Sequence, residues 1–248
     1  MRNILLTLLL LIISIHGQAL QLDKNRWYDF EGKLGKSEIR LSIYLQDNGQ
    51  LKGNYCYKMY ESKIQLSGRI TGDKIELTEF LNGKPNGYFS GEIYTDNADR
   101  FEGSWTSNSK TKSITFKTTL SSACASDSFD KRYAGFYGSD DDVENFMKLV
   151  KSSVLKGDKE WIANHISYPI KTNIFKNKAI TIKNKRQLIA HFDQIFHQEF
   201  KDMIKSFCVC NMFNNYQGVM LGRGQIWINN QPDSSEEKFN YTITAINN

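Results

Sequence analysis

Ionisable residues among apolar neighbours are the first candidates for chemistry in this sequence. Asp193 stands between Phe192 and Ile195, in a stretch with helical periodicity. Burial disfavours a charged carboxylate and raises its pKa, so a buried Asp193 could act as a general base, with Tyr168 as a second polar group. Asp193 could equally accept a hydrogen bond from a strand amide or from a nearby lysine. We therefore assign no catalytic residue and keep Asp193 and Tyr168 as candidates.

Motifs for nucleophilic, nucleotide or metal chemistry are missing from the sequence. It has no Gly-x-Ser-x-Gly elbow, no phosphate-binding loop and no Cys-x-x-Cys pair. His191 and His197 lie too far apart for the i, i+4 ligand pair of a zinc site. The acidic run at 140–144 lacks the glycine and the distal glutamate of a calcium loop, and it suits the first turn of a helix. We therefore predict no metal and no cofactor.

The four cysteines, Cys56, Cys124, Cys208 and Cys210, allow three full pairings. Cys56 alternates in phase with the polar residues of its strand, so its side chain should point outward. We expect a disulfide between Cys56 and Cys124, because Cys124 follows the last strand of the same half. Cys208 and Cys210 could pair only as a strained small ring, and the alternative is two unpaired cysteines on one face of a strand.

Two groups of residues could bind a partner. The tyrosine-rich strand around Tyr57 could form a recognition surface, or its rings could fill and cover a barrel. A basic run with no acidic residue could dock an acidic partner or an anionic envelope polymer. A solvated strand edge protected by lysines remains the alternative for this run. Its members are Lys171, Lys176, Lys178, Lys183, Lys185 and Arg186.

The N-terminus has the pattern of a secretory signal peptide. Arg2 precedes an apolar run over 4–13, and a small-x-small site ends at Ala19. We predict a signal peptide over 1–19 and an exported protein, periplasmic or extracellular, with no transmembrane segment after cleavage. The formal net charge of +5 is shared between both halves, so a nucleic-acid partner is not expected. The sequence predicts no oligomeric state.

Residues 20–120 have the pattern of an antiparallel barrel. Eight alternating segments run over about 27–34, 37–46, 49–58, 63–70, 74–81, 87–94, 100–106 and 112–120, with turn residues between them. Five times a glycine lies between two large apolar residues on one face, as in Leu51-x-Gly53-x-Tyr55 and Leu66-x-Gly68-x-Ile70. Glycine on a core face suits the close approach of strands in a small closed barrel. Glu79 shares the core phase, so it is either a buried carboxylate at the barrel mouth or a solvated residue near the strand end.

Residues 121–138 are predicted to be a linker, and 139–248 an α+β domain. Two helices, a strand pair, a further helical stretch over about 188–204 and strands at about 207–213, 217–229 and 237–246 are expected. The fold class is thus α+β with two domains. The barrel resembles the lipocalin, avidin and lysozyme-inhibitor barrels in architecture only. An avidin-like biotin site would need several tryptophans, and this half offers Trp27 and Trp105.

The C-terminal half resembles the nuclear transport factor 2-like superfamily, which includes the SnoaL-like proteins, in its element order. The phrases at 166–170, 192–196 and 218–228 are also similar to a domain of exported bacterial proteins. The resemblance implies a cone with an apolar interior, into which Tyr168, Asp193 and Trp227 could project. Trp227 is therefore a candidate binding residue.

The sequence thus favours a non-enzymatic exported binding protein, such as an inhibitor or immunity-type protein that acts on a protein or another ligand of the cell envelope. The alternative is a small-molecule isomerase, dehydratase or hydrolase that uses Asp193 and Tyr168 in a pocket of the cone. A third class is a structural module within a larger envelope assembly.

Overall fold

The computed structural model describes residues 22–95, 99–126, 128–175, 178–232 and 239–248. The predicted signal peptide at 1–19 and the basic residue Lys176 lie outside the described residues.

The first half is a closed barrel of eight antiparallel strands, as predicted. Each strand pairs with the next one along the chain, and the first strand closes the barrel against the eighth. Strand β8 runs beyond the expected end at 120, into the segment predicted as a linker. The strands are β1 (Arg26–Leu34), β2 (Ser37–Leu45), β3 (Gln50–Tyr57), β4 (Ile64–Thr71), β5 (Lys74–Leu81), β6 (Lys84–Thr95), β7 (Asp99–Ser107) and β8 (Ser113–Ala125).

The recurrent glycines lie where a neighbouring backbone takes the place of a side chain. A Cβ atom added at Gly53 would overlap the carbonyl oxygen of Ser42 on β2, and one added at Gly68 would overlap that of Glu76 on β5. Any larger residue would therefore force the strands apart. This close approach is what lets eight strands close around a narrow interior.

The barrel interior is filled by apolar side chains. Phe89, Phe101 and Phe116 pack edge to face, with the ring centroids of Phe101 and Phe116 4.7 Å apart. Leucine and isoleucine side chains from β2, β3 and β5 complete the buried cluster. The barrel is therefore a packed core, which is one of the two outcomes that a barrel of eight strands allows.

Four helices and six strands follow the barrel within the described residues. Ser139 and Asp142 form a capping box at the first helix, as the acidic run predicts, and Gly157 ends that helix in the left-handed conformation. The elements are α1 (Asp140–Lys156), α2 (Lys159–Asn164), β9 (Ile170–Ile174), β10 (Lys178–Ile182), α3 (Lys185–Ile195), α4 (Gln198–Ser206), β11 (Phe213–Asn215), β12 (Gly218–Leu221), β13 (Ile226–Pro232) and β14 (Phe239–Ile246).

These elements form a two-stranded sheet of β9 and β10 and a four-stranded antiparallel sheet of β11 to β14. Helices and sheets share one apolar core, which includes Val150, Phe192 and Ile228. The helical stretch expected over 188–204 is two helices, because His197 caps α4 through its Nδ1 atom. The strand expected over 217–229 is a hairpin that turns between β12 and β13.

The second half packs on the side wall of the barrel. The outward-facing residues Asp29, Ser42 and Asn54, on β1, β2 and β3, are buried. The Asn211 side chain donates a 2.6 Å hydrogen bond to the Asn54 side chain across this contact. Phe129 and Phe213 cover a second part of the wall. We call this contact between the barrel and residues 128–214 the junction.

None of the helices in the described part of the chain has the length and hydropathy needed to span a lipid bilayer.

Candidate functional site

A buried carboxylate lies at the barrel end where β3 runs into β4. Glu79 faces the interior from β5, and its Oε2 atom accepts hydrogen bonds of 2.7 Å from the Tyr55 hydroxyl and 2.8 Å from the Trp105 indole. The Asn86 amide donates to Oε1. Of the two placements that the strand phase left open, the structure shows the buried one. Burial, followed by the hydrogen bond to Glu79, raises the pKa of Tyr55, so its hydroxyl stays a donor.

This network holds two aromatic rings in fixed positions. Tyr55 on β3 and Trp105 on β7 reach the same carboxylate from opposite sides of the barrel end. The Tyr55 ring also packs edge to face against Tyr57, with centroids 5.6 Å apart. We call Glu79, Tyr55, Trp105 and Asn86 the floor, because they lie at the barrel end from which the loop after β3 emerges.

That loop presents large side chains to solvent. Met59 is 84% exposed and Tyr60 is 72% exposed, while Tyr57 is half-buried and contacts Tyr60 edge to face. We call Tyr57, Met59 and Tyr60 the Tyr60 rim. Within the tyrosine-rich strand and the loop after it, Tyr55 fills the barrel, and the Tyr60 rim lies at the surface.

The loop is fastened to the second half on the side away from solvent. The Glu61 carboxylate accepts a 2.9 Å hydrogen bond from Lys151 on α1 and a 3.2 Å hydrogen bond from the backbone amide of Val209. Lys63 forms a 2.8 Å ion pair with Glu144 on α1. The Tyr60 rim is therefore held in place by contacts within the chain.

Of the basic run, Lys171 lies on β9, Lys178 begins β10, Lys183 lies between β10 and α3, and Lys185 and Arg186 begin α3. Lys178, Lys183, Lys185 and Arg186 are exposed, and Lys185 forms a 2.7 Å ion pair with Glu160. Lys178, Lys183 and Arg186 form no ion pair with another described residue. We call these three residues the cationic patch. Lys183 and Arg186 lie at the N-terminus of α3, whose first turn holds no acidic residue, so the helix dipole adds to their positive potential, whereas Lys178 lies at the far end of β10.

The two candidate catalytic residues do not form an acid–base site. The Asp193 side chain is 71% exposed and forms a 2.6 Å ion pair with Lys159. This hydrogen bond lowers the pKa of Asp193, which is the opposite of the raised pKa that burial would have given. The helix turns Asp193 outward between its buried neighbours Phe192 and Ile195. Of the alternatives considered, a hydrogen bond to a lysine is the one observed.

Tyr168 is half-buried and donates a 2.9 Å hydrogen bond to the carbonyl oxygen of Ala163. Burial raises its pKa to about 12, so the hydroxyl remains protonated. Trp227 pairs with Met220 and Ala245 across the four-stranded sheet, between the core residues Ile226 and Ile228. It therefore lies on the face of the sheet opposite the apolar core, not in a cone interior.

The disulfide differs from the predicted one. Cys56 is bonded to Cys210, while Cys124 is a free, buried thiol beside Trp27 and Tyr44. Two strands, β1 and β2, separate β3 from β8 by roughly 14 Å across the sheet, and Cys124 is level with Lys52, which lies four residues before Cys56 on β3. A disulfide cannot span this distance. Cys56 does point out of the barrel, but the junction covers it.

A groove of about 270 Å³ opens at the edge of the junction. It is bordered by carboxylates, by basic side chains and by the free thiol of Cys208. We call it the seam groove, and its lining includes Glu31, Glu38, Arg40, Lys58, Cys208 and Arg223.

A buried ion pair fixes the junction. Arg132 donates a 2.6 Å hydrogen bond to Asp29 and further hydrogen bonds to the carbonyl oxygens of Asn211 and Met212. Ser42 and Ser122 also donate to the Asp29 carboxylate. Sequence reasoning missed this pair, because Arg132 falls in the segment predicted as a linker.

Comparison with known proteins finds little similarity. No protein-family model matches this chain, and no curated protein matches it. Among solved structures, the chain is similar to the crystal structure of a rhizavidin–biotin complex, with 16% sequence identity and a TM-score of 0.30. The match covers 40% of this chain and 99% of that chain.

Proposed function

We propose that this protein is an exported binding protein that acts by contact on a partner in the cell envelope, as an inhibitor or immunity-type protein. The observation that carries the proposal is the Tyr60 rim, in which Met59 and Tyr60 are exposed on a loop fastened from behind. Tyrosine is enriched among the residues that dominate binding energy at protein interfaces, and methionine is enriched at their cores.

Fastening the loop favours tight binding. Glu61 and Lys63 tie it to α1, and the ring contact between Tyr57 and Tyr60 limits the rotamers of both side chains. A surface already ordered in the free protein loses less conformational entropy on association. The Tyr60 rim therefore suits contact with a folded protein.

The enzyme alternative has less support. It requires Asp193 and Tyr168 to face one enclosed cavity. In the structure, Asp193 is exposed and paired with Lys159, and the Tyr168 hydroxyl donates a hydrogen bond to a backbone carbonyl oxygen. For the second half we retain the nuclear transport factor 2-like cone as a proposal, supported by the order of its helices and strands. In this proposal the cone braces the barrel loop through Lys151 and Glu144.

A photocrosslinking amino acid at position 60 tests the proposal. The variant would be expressed in the producing cell, irradiated and analysed for a covalent adduct of defined mass. Tyr216 is the matched control, because it is 93% exposed on the turn between β11 and β12. We expect an adduct from position 60 and none from position 216.

Purified variants then measure the affinity for the crosslinked partner. Replacing Met59 and Tyr60 together by serine should weaken binding by about 2 kcal/mol or more, which is roughly thirty-fold in Kd. Tyr216→Ser should bind like the wild type. Equal affinity of the double variant and the wild type would contradict the proposal, as would equal crosslinking from both positions.

The cationic patch supports a second candidate, the binding of an anionic envelope polymer. Lys178, Lys183 and Arg186 make no ion pair with the rest of the described chain, and the dipole of α3 adds to the field of Lys183 and Arg186. Such binding would weaken steeply as salt rises.

Sedimentation with isolated envelope polymer at low and high salt tests this candidate. The triple variant with glutamine at 178, 183 and 186 should lose binding at low salt. A matched triple variant with glutamine at Lys33, Lys36 and Lys117, on the barrel, should retain it. Binding that is unaffected by salt or by the patch variant would exclude this candidate.

A further inference from the structure

Three buried cysteine sulfur atoms meet at the junction. Cys56 points outward from β3, and Cys208 and Cys210 lie in the segment between α4 and β11. The three sulfur atoms all lie within 4.8 Å of one another. Cys56 and Cys210 form the disulfide, and the free Sγ of Cys208 lies 3.4 Å from the Sγ of Cys56.

We propose that these residues form a disulfide-exchange site in which Cys208 and Cys210 compete for Cys56. In the exchange, the thiolate of Cys208 attacks the Sγ of Cys56, a new Cys56–Cys208 bond forms, and the Cys56–Cys210 bond breaks. Cys210 leaves as a thiolate and takes up the proton that Cys208 lost. The numbers of thiols and disulfides stay constant, so the step needs no oxidant or reductant.

Chain entropy does not favour one disulfide over the other. The Cys56–Cys208 bond would link residues 152 apart in sequence, and the Cys56–Cys210 bond links residues 154 apart. The entropy of closing a loop in the unfolded chain varies only with the logarithm of loop length, so it is nearly equal for the two bonds. Both bonds tie β3 to the same segment of the second half, and the junction is covalently closed in either form.

The surroundings of Cys208 set the rate of the disulfide exchange. Burial raises the pKa of Cys208 to about 11, although the backbone amide of Cys210 donates a hydrogen bond to its sulfur and thus favours the thiolate. Because the thiolate is the attacking form, exchange should be slow near neutral pH and faster as the pH rises. The charged groups that face this thiol are Glu61, Arg40 and Lys151, together with the Glu31, Glu38, Lys58 and Arg223 side chains of the seam groove.

The seam groove gives the site an opening to solvent. Cys208 lies on its border next to basic side chains, whereas Cys56 and Cys210 are fully buried. Exchange would move the free thiol from the groove to the buried position 210. A thiol reagent that enters the groove should therefore modify Cys208 in one form and find no thiol in the other.

Linkage mapping in the full mature chain tests the proposal. Cys124→Ser removes the thiol outside the cluster and serves as the parent. After incubation at pH 7 and pH 9 and an acid quench, tandem mass spectrometry should find both Cys56–Cys208 and Cys56–Cys210, with faster equilibration at pH 9. A single linkage at both pH values would overturn the proposal.

Variants of the parent provide the matched comparison. Cys210→Ser should form Cys56–Cys208 and titrate with no free thiol after denaturation, whereas two free thiols would overturn the proposal. Cys208→Ser is the control, because it keeps Cys56–Cys210 and lacks the attacking thiol. If Cys210→Ser does not fold, the mapping of the parent decides the proposal by itself.

Discussion

Asp29 and Arg132, which are 103 residues apart in the chain, meet through a 2.6 Å hydrogen bond between carboxylate and guanidinium. Both side chains are almost completely buried, and the bond joins the barrel wall to the segment that leads into the second half. A buried pair has lost its hydration, so the removal of one partner leaves the other charge poorly compensated: Asp29 would keep Arg40, at 3.6 Å, and Arg132 would keep only backbone carbonyl oxygens.

The first prediction follows from this relationship. Asp29→Asn or Arg132→Met should each lower the free energy of unfolding by about 3–5 kcal/mol, measured by urea denaturation. The double variant should lose less than the sum of the two single losses, because neither charge then remains alone. Arg69→Gln removes the exposed pair with Glu76 and is the control, with a loss of at most about 1 kcal/mol. Additive effects of Asp29→Asn and Arg132→Met would contradict the coupling.

The second prediction concerns acid stability. Burial by itself would raise the pKa of Asp29, but the guanidinium groups of Arg132 and Arg40 outweigh it and hold the pKa below its ordinary value. A carboxyl with a lowered pKa in the folded state stabilises the fold above its unfolded-state pKa of about 3.9. That contribution is lost as the pH falls through the folded-state value.

Unfolding free energies of the wild type and Asp29→Asn between pH 7 and pH 2.5 test this prediction. The wild-type curve should fall more steeply below about pH 4, with a difference in slope of up to about 1.4 kcal/mol per pH unit for one proton. Asp142→Asn is the control. The Asp142 carboxyl is exposed, and hydrogen bonds from Ser139 also lower its pKa. Parallel wild-type and Asp29→Asn curves would show that Asp29 does not contribute to the acid response.

The third prediction concerns the barrel glycines. Gly68→Ala places a Cβ against the backbone of Glu76 and Leu77, which cannot move away as a flexible side chain could. We expect a loss of about 2–4 kcal/mol, above the range for ordinary overpacking, measured by urea denaturation. Gly72→Asn is the control, because the position has open space and asparagine tolerates its positive φ. Equal stability of both variants would mean that β4 and β5 can separate without loss.

The barrel could be predicted because its determinants are local. Alternating residues such as Ile39, Leu41 and Ile43 define the core face of a strand, and short turns force antiparallel neighbours. Gly53 and Gly68 then mark where strands approach closely. Each of these signals lies within a few residues of the structure that it specifies.

The junction could not be predicted in the same way. The outward phase of Cys56 follows from its strand, but the partner of Cys56 depends on which segment of the second half covers that wall. The same holds for Arg132, whose partner Asp29 is distant in sequence. At Asp193 the apolar neighbours in sequence suggested burial, whereas the rotation of α3 exposes that side chain to Lys159. Contacts between distant segments leave no periodic signal.

The last prediction concerns the floor beneath the Tyr60 rim. The Glu79 carboxylate accepts hydrogen bonds from Tyr55, Trp105 and Asn86, so Glu79→Leu leaves the buried Tyr55 hydroxyl and the partly buried Trp105 indole without an acceptor. An unsatisfied buried donor costs about 1–3 kcal/mol, so the barrel should lose about 1–3 kcal/mol of unfolding free energy. Trp105 loses its indole hydrogen bond, and a shift of its fluorescence emission reports on that loss.

Glu79→Gln is the matched variant, because its amide oxygen can still accept from both Tyr55 and Trp105. It should lie between the wild type and Glu79→Leu in stability and keep an emission close to that of the wild type. Glu76→Gln changes the exposed neighbour on the outer face of β5 and should alter neither quantity. If Glu79→Leu retains wild-type stability, Tyr55 and Trp105 have found other acceptors, and Glu79 is not what holds these rings under the rim. If the variant instead loses stability and also binds the crosslinked partner more weakly, the floor and the rim act as one surface.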